Sequence, residues 1–154
     1  MKKLLVVLAS VLLIAGTASA GIGVGGGWNS ALGLSAQVEF GLGPVSIQGN
    51  VGFMPLSFGG DVIFRFASLL DGKLTPYAGG GAYYVPDVLA GLGWGTAVPA
   101  VMFGGKGGVE YKVMDNLVVY GGYGYYLGMV IVTGWTLPFG GGGFDAGARF
   151  MIGQ

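Results

Sequence analysis

Cysteine and histidine are both absent from this chain of 154 residues. Without cysteine, the protein has no disulfide framework and no thiolate nucleophile. Without histidine, it lacks the commonest general base and a common metal ligand. Charge is scarce as well, with seven Lys and Arg against seven Asp and Glu and no basic run. Because nucleic-acid-binding proteins need a positive surface, we expect no nucleic-acid partner.

Glycine, in contrast, is abundant, with 35 residues. This content opposes long helices, and the glycines follow neither the Gly-X-Y period of collagen nor the Ser-rich or Gln-rich pattern of a linker. Two uncharged stretches, 88–105 and 129–144, are long enough to suggest membrane helices. Each contains several glycines and a proline, however. We therefore disfavour helical membrane spans.

The first 20 residues have the features of a secretory signal peptide. Lys2 and Lys3 provide the positive start, residues 4–15 form the apolar stretch, and Ala18-Ser19-Ala20 is a small-residue cleavage site. We predict a signal peptide over 1–20 and a mature chain that begins at Gly21. Residues 21–154 are then enough for one domain.

The mature chain is dominated by alternating apolar and polar residues, which is the pattern of β-strands. Five segments that alternate clearly are predicted to be strands: 32–42, 45–53, 58–66, 101–113 and 143–152. Three segments that alternate less clearly complete the set: 22–28, 74–84 and 117–127. The total is eight, and lengths of about 9 to 12 residues suit tilted strands that cross a bilayer.

The distribution of polar residues between the two faces distinguishes two kinds of barrel. One face of the predicted strands carries nearly every charge, and the other is apolar throughout. A soluble eight-stranded barrel, such as a lipocalin, would place the apolar face inside. Here the polar face suits the lumen and the apolar face suits lipid. We predict an all-β fold, an eight-stranded antiparallel up-and-down transmembrane β-barrel in the bacterial outer membrane.

The connections between the predicted strands agree with this topology. Short turns at 43–44, around 71–73 and at 114–116 would lie at the periplasmic end. The two longest connections, at about 85–100 and 128–140, would lie at the outer end. Short inner turns with longer outer loops are typical of outer-membrane barrels.

Three short motifs carry a family resemblance. Thr75-Pro76-Tyr77 precedes a run of small residues, 113–117 reads Val-Met-Asp-Asn-Leu, and 147–150 reads Gly-Ala-Arg-Phe. They resemble motifs of the small outer-membrane β-barrel family that includes OmpX, the OmpA transmembrane domain and opacity-type surface proteins. The resemblance implies a monomer that barrel-assembly machinery inserts by reading the last strand. The chain departs from the family by ending Phe-Met-Ile-Gly-Gln and not at a terminal Phe.

Turning the polar face inward collects four acids and four bases in the lumen. They are Glu39, Asp61, Arg65, Lys106, Glu110, Lys112, Asp145 and Arg149. Because side chains can fill an eight-stranded interior, we expect these groups to neutralise one another and largely plug the lumen. Five of them would occupy the periplasmic half. The outer half, lined by glycine and small residues, is predicted to be an open vestibule unless Tyr126 and inward-folding loops fill it.

Three tryptophans, Trp28, Trp94 and Trp135, are predicted at or beyond the outer ends of strands. They would form the outer half of an aromatic belt at the lipid headgroups. The two long loops are apolar, with Asp87 as their single charge. Exposed apolar loops usually mark an interface, whether with lipid, an apolar solute or another protein.

These observations favour a non-enzymatic barrel with a structural or surface-interaction role. The alternative is a narrow pore or a conduit for small or apolar solutes. An enzyme is disfavoured, because the lipid-modifying, phospholipase and protease barrels rely on histidine. We expect no cofactor or metal. The expected partners are outer-membrane lipid and the assembly machinery, and any surface ligand is left open.

Overall fold

The computed structural model describes residues 21–89, 97–132 and 134–152. These residues form eight strands: β1 Ile22–Asn29, β2 Gly33–Leu42, β3 Val45–Phe53, β4 Leu56–Arg65, β5 Leu74–Val85, β6 Ala100–Met114, β7 Leu117–Val132 and β8 Trp135–Ile152. No helix within the described ranges is long and apolar enough to cross a membrane. The predicted signal peptide over 1–20 and the predicted rim residue Trp94 lie outside the described residues.

The strands close into one barrel. Each strand pairs antiparallel with the next, and β8 pairs back with β1. The structure thus confirms the prediction of an eight-stranded antiparallel up-and-down barrel. One end of the barrel carries Gly21 and Ile152 together with the β2–β3, β4–β5 and β6–β7 turns, and we call it the terminal end. The opposite end, with the other four connections, is called the loop end.

The alternation in sequence becomes an alternation between lumen and outer wall. Along β2, Gln37 and Glu39 are buried inside, whereas Val38 and Phe40 are 41% and 52% exposed on the outside. β3 pairs with β2 so that Ile47 lies opposite Phe40 on the same outer face. This is the reverse of a soluble protein, in which large apolar side chains are normally buried.

The last two strands are longer than the sequence predicts. The segment 128–140 is not a loop, because β7 and β8 continue pairing up to Val132 and Trp135 and form a tall hairpin. Alternation fails as a signal there because both faces are apolar, with Val130 and Leu137 on one and Met129 and Pro138 on the other. The glycines and the proline of this segment also suggested a loop.

The wall of the barrel has a step where β8 meets β1. β1 has 8 residues and β8 has 18. β1 pairs with β8 only between Ala146 and Ile152, so among the described residues β8 from Trp135 to Asp145 has a strand neighbour on one side only. At about 3.3 Å per residue and a tilt of about 40°, β1 rises about 20 Å along the barrel axis and β8 about 45 Å.

This step separates two of the tryptophans that are predicted to form the outer aromatic belt. Trp28 lies near the end of β1 and pairs with Ala146 on β8, whereas Trp135 begins β8 at the tip of the hairpin. Both side chains are exposed, at 57% and 76%. The strand between Ala146 and Trp135 rises about 28 Å at the same tilt, so the two tryptophans do not lie at one level.

Candidate functional site

The interior near the terminal end contains a closed ring of two acids and two bases, Glu39, Arg65, Glu110 and Arg149, which we call the charge ring. Arg65 Nη2 lies 2.6 Å from Glu39 Oε1, and Arg65 Nε lies 2.8 Å from Glu110 Oε2. Arg149 Nη2 lies 2.6 Å from Glu110 Oε1, and Arg149 also pairs with Glu39. Each carboxylate therefore contacts both guanidinium groups, and the ring carries no net charge.

Four alternate strands deliver these side chains to one level of the lumen: Glu39 comes from β2, Arg65 from β4, Glu110 from β6 and Arg149 from β8. The glycines of β1 leave the room that Arg149 needs. A Cβ at Gly25 would lie 2.9 Å from Arg149 Cγ. The guanidinium of Arg149 also lies over the ring of Tyr120, 5.4 Å from its centroid.

The ring is largely shielded from solvent. Glu39 is fully buried, and Arg149 is 3% exposed. The remaining hydrogen-bonding capacity of Arg65 is partly used by Ser46, whose Oγ accepts a bond of 2.8 Å from Nη1. Because unpaired charges are costly to bury, this arrangement is stable only while acids and bases balance.

A second charged pair lies deeper in the lumen. Lys106 Nζ is 2.8 Å from Asp61 Oδ2, and the same oxygen accepts a 2.9 Å hydrogen bond from Asn50 Nδ2. The hydroxyl of Tyr83 donates to Asp61 Oδ1 at 2.5 Å. Lys106 also donates to Gln48 Oε1 at 3.1 Å. Asp61 thus has partners on both oxygens and is held at a fixed position.

The carboxylate of Asp145 fastens the β1–β2 turn to the barrel. Its Oδ1 accepts hydrogen bonds of 2.7 Å from both the backbone N–H and the hydroxyl of Ser30. Asp145 is 2% exposed. It is therefore a structural anchor in the lumen and is not salt-bridged to a base of the predicted network.

The prediction for Lys112 is wrong in one respect. Lys112 lies two residues after Glu110 and therefore on the same inward face of β6. Its ammonium, however, pairs with Asp115 at 3.1 Å and is not part of the charge ring. The Lys112 side chain is 42% exposed. The position lies beyond the ring, at the mouth of the terminal end, where a cavity of about 290 Å³ is lined by Lys73, Lys112 and Arg65.

Side chains fill most of the half of the lumen near the loop end, so the predicted open vestibule is wrong. A cluster of buried residues occupies it, and we call it the apolar layer: Leu32, Tyr83, Val85, Ala100, Met102 and Tyr126. The rings of Tyr83 and Tyr126 meet edge to face with centroids 5.4 Å apart. Filling by Tyr126 is the alternative that the sequence left open.

Glycines on neighbouring strands create the space for these rings. A Cβ at Gly59 would lie 2.0 Å from Tyr83 Cδ1, and a Cβ at Gly104 would lie 2.2 Å from Tyr126 Cδ1. The inward glycines and Tyr126 were noted from the sequence, but Tyr83 was not expected to cover them. The position of Tyr83 could have been predicted from the alternation along β5, because Tyr83 lies two and six residues from Gly81 and Tyr77 and so points into the lumen as they do. The pairing of β4 with β5 then brings Tyr83 next to Gly59.

The connection between β5 and β6 is tied back to itself where it is described. Asp87, the single charge of the predicted long loops, accepts hydrogen bonds from the backbone N–H groups of Leu89 at 2.9 Å and Val98 at 3.1 Å. The backbone N–H of Val88 donates to the carbonyl of Val98 at 2.9 Å. Val88 packs against the apolar layer. This loop therefore helps to cover the loop end.

Comparisons with family models, with curated proteins and with solved structures gave no match for this chain. The geometry of the interior is therefore the basis for a functional conclusion. Its charges are paired with one another except for Asp145, which is hydrogen-bonded to Ser30, and its aromatic rings are packed together. Such an interior holds the wall closed and presents few groups to a substrate.

Proposed function

We propose that the protein spans the bacterial outer membrane as a non-enzymatic barrel with a structural or surface-interaction role. The observation that carries the proposal is the inverted polarity of the wall. Val38, Ile47 and Val62 are 41%, 52% and 54% exposed on the outside, while Glu39 and Asp61 are buried inside. In water this distribution would expose an apolar surface far larger than a monomer normally shows.

A bilayer removes this conflict, because lipid covers the apolar wall. Hydrocarbon also requires every backbone N–H and C=O to be paired within the protein, and a closed barrel meets that requirement between its strands. The chain pairs all eight strands in one ring from the terminal end up to the level of Ala146. Over that height both the wall and the backbone are suited to lipid.

The filled lumen supports a structural role over a pore. The charge ring closes the half near the terminal end, and the apolar layer closes the half near the loop end. A water-filled pore needs a continuous polar path, which the two layers interrupt within the described residues. The paired acids and bases likewise support the expectation that the protein is not an enzyme.

The tall β7–β8 hairpin supports a role in surface interaction. Trp135 and Leu137 are 76% and 57% exposed on the side of the hairpin that, nearer the terminal end, faces the lumen. Ile131 is 45% exposed on the opposite side, which continues the outer wall. A strand of 18 residues rises about 45 Å, which exceeds the apolar band of about 25 Å in outer-membrane barrels. The hairpin would therefore project from the membrane with apolar side chains on both faces.

The proposal includes the biogenesis that the sequence predicts. Residues 1–20 would direct export and be removed, the assembly machinery would insert the barrel, and the terminal end would face the periplasm. The resemblance to the OmpX, OmpA and opacity-type family suggests a monomer. Outer-membrane lipid is then the principal partner.

Expression of the full chain in a Gram-negative host, followed by membrane fractionation, tests this function. We expect the protein in the outer-membrane fraction, with Gly21 as its first residue and a gel mobility that changes on boiling. The refolded protein should give no steady conductance in planar bilayers. Recovery from the inner membrane with the leader retained would contradict the location, and steady conductance would contradict the closed lumen.

A further inference from the structure

The step between β1 and β8 leaves an opening in the side of the barrel, which we call the notch. One edge is the β1–β2 turn with Ala31, and the other is the glycine run of β8 around Gly141. The inner surface is formed by Met102, Tyr126 and Phe139. Together these residues enclose a cavity of about 170 Å³. The notch is thus an apolar recess that connects the lumen to the outer wall.

The glycine run keeps the notch open. The β8 positions 140–143 are all glycine, and a Cβ at Gly141 would meet no atom of the described residues within 4 Å. By contrast, Cβ atoms at inward glycines such as Gly59 and Gly104 would collide with tyrosine rings. The space in front of Gly141 is therefore unfilled, while the rest of the upper lumen is packed.

The height of the notch decides what can reach it, and this step rests on the proposed membrane location. β1, with 8 residues, rises about 20 Å, whereas the apolar band of an outer-membrane barrel is about 25 Å tall. The rim beside the notch would therefore lie within the lipid layer, near the headgroups. Lipid chains, and not bulk water, would contact the opening.

Tyr126 contributes its ring to the recess and not its hydroxyl. The residue is 4% exposed and its hydroxyl oxygen is buried. The end of the ring lies over Gly124, where a Cβ would be 2.8 Å from the hydroxyl oxygen. The recess therefore offers chiefly apolar surface, which suits a hydrocarbon chain.

We propose that the notch binds one acyl chain of a membrane lipid, which enters from the bilayer beside the short β1 wall. The chain would contact Met102, Phe139 and the ring of Tyr126. The binding site is continuous with the apolar outer wall, so the chain need not cross water to enter it.

Photolabelling in vesicles tests this site. The mature protein is refolded into phosphatidylcholine vesicles that contain a trace of phosphatidylcholine with a diazirine in one acyl chain. A second set of vesicles contains a free diazirine fatty acid instead. After irradiation, mass spectrometry locates the label. Outward Val38 and Val62 report contact with the bilayer, and Met102, which is 7% exposed inside the barrel, reports entry through the notch.

Variants that fill the notch provide the comparison. Gly141→Leu and Ala31→Leu fill it from opposite edges, and each should lower labelling of Met102 at least fivefold while Val38 and Val62 keep theirs. Gly49→Leu is the matched control, because a Cβ there points to the outer wall with only Val38 O at 4.0 Å. It should leave labelling of Met102 unchanged. Heat-modifiable gel migration shows that each variant has folded.

The outcomes separate the two proposals. Label on Val38 and Val62 but none on Met102 would overturn the notch and leave the membrane barrel standing. Label on Met102 that persists in both filled variants would overturn it as well. Label on Met102 from the free fatty acid alone would overturn the membrane lipid as its source. No label on the outward residues would instead contradict the membrane location itself.

Discussion

Replacing Arg149 by methionine is the sharpest test of the charge ring. Arg149 is 3% exposed and contacts both Glu39 and Glu110, which lie opposite each other around the ring. Methionine keeps much of the apolar volume of the side chain and removes its charge and hydrogen bonds. Arg65 is then left to balance two carboxylates, so the buried ring acquires one uncompensated negative charge.

Breaking a buried ion pair by removing one partner typically costs about 3–5 kcal/mol, because the remaining charge stays buried. We expect Arg149→Met to lower the free energy of unfolding by an amount in that range. Adding Glu110→Gln restores neutrality, since Arg65 can then pair with Glu39 alone. The double variant should therefore recover about 1–3 kcal/mol relative to Arg149→Met, a coupling typical of residues in contact.

Urea unfolding of the protein in phosphatidylcholine vesicles, followed by tryptophan fluorescence, measures these differences. Lys112→Met is the control, because Lys112 pairs at the barrel mouth with the exposed Asp115. It should cause no measurable change. An Arg149→Met variant as stable as Lys112→Met, or a double variant less stable than Arg149→Met, would refute the charge ring as the element that closes the lower lumen.

Two further predictions concern the two filled halves of the lumen. Gly59→Val should lower the free energy of unfolding by about 1–3 kcal/mol, because its Cβ would overlap the Tyr83 ring, whose hydroxyl bonds to Asp61. Gly49→Val, which faces the outer wall, should cause little change, and equal costs in urea unfolding would argue against the packed apolar layer. Removing both bases of the charge ring with Arg65→Ala and Arg149→Ala should destabilise the barrel more than Arg149→Met does, because Glu39 and Glu110 are then both buried without a base. Planar-bilayer conductance should stay near zero, because the apolar layer still closes the other half of the lumen. A variant as stable as the wild type would contradict the role of the ring.

The sequence was a good guide where one face differed clearly from the other. Residues 45–53 were predicted as a strand with the bounds that β3 has, and β2 begins one residue later than predicted. There the buried Gln48 alternates with the exposed Ile47. Because the side-chain period of a strand is two, such alternation fixes both the strand and the face that turns inward.

The sequence was a poor guide where the two faces of a strand are equally apolar. It was also a poor guide where a contact is made between residues of two neighbouring strands. The upper parts of β7 and β8 are apolar on both faces, so Met129 and Val130 gave no alternation and the hairpin was predicted as a loop. The upper lumen was predicted to be open because its glycines were considered strand by strand. Gly59 and Tyr83 lie on paired strands. Such a contact depends on register, which a single segment does not reveal.

A matched pair of arginine substitutions on the outer face tests most directly whether lipid surrounds the wall. Val62 and Ile131 are both exposed on that face, at 54% and 45%, but Val62 lies on β4 within the barrel wall and Ile131 lies near the tip of the β7–β8 hairpin. As the fifteenth residue of β7, Ile131 lies about 38 Å from the terminal end, beyond a band of about 25 Å. Urea unfolding in vesicles should show that Val62→Arg costs about 2–4 kcal/mol and Ile131→Arg about 0–1 kcal/mol. Equal and small costs at both positions would contradict a barrel that spans a membrane.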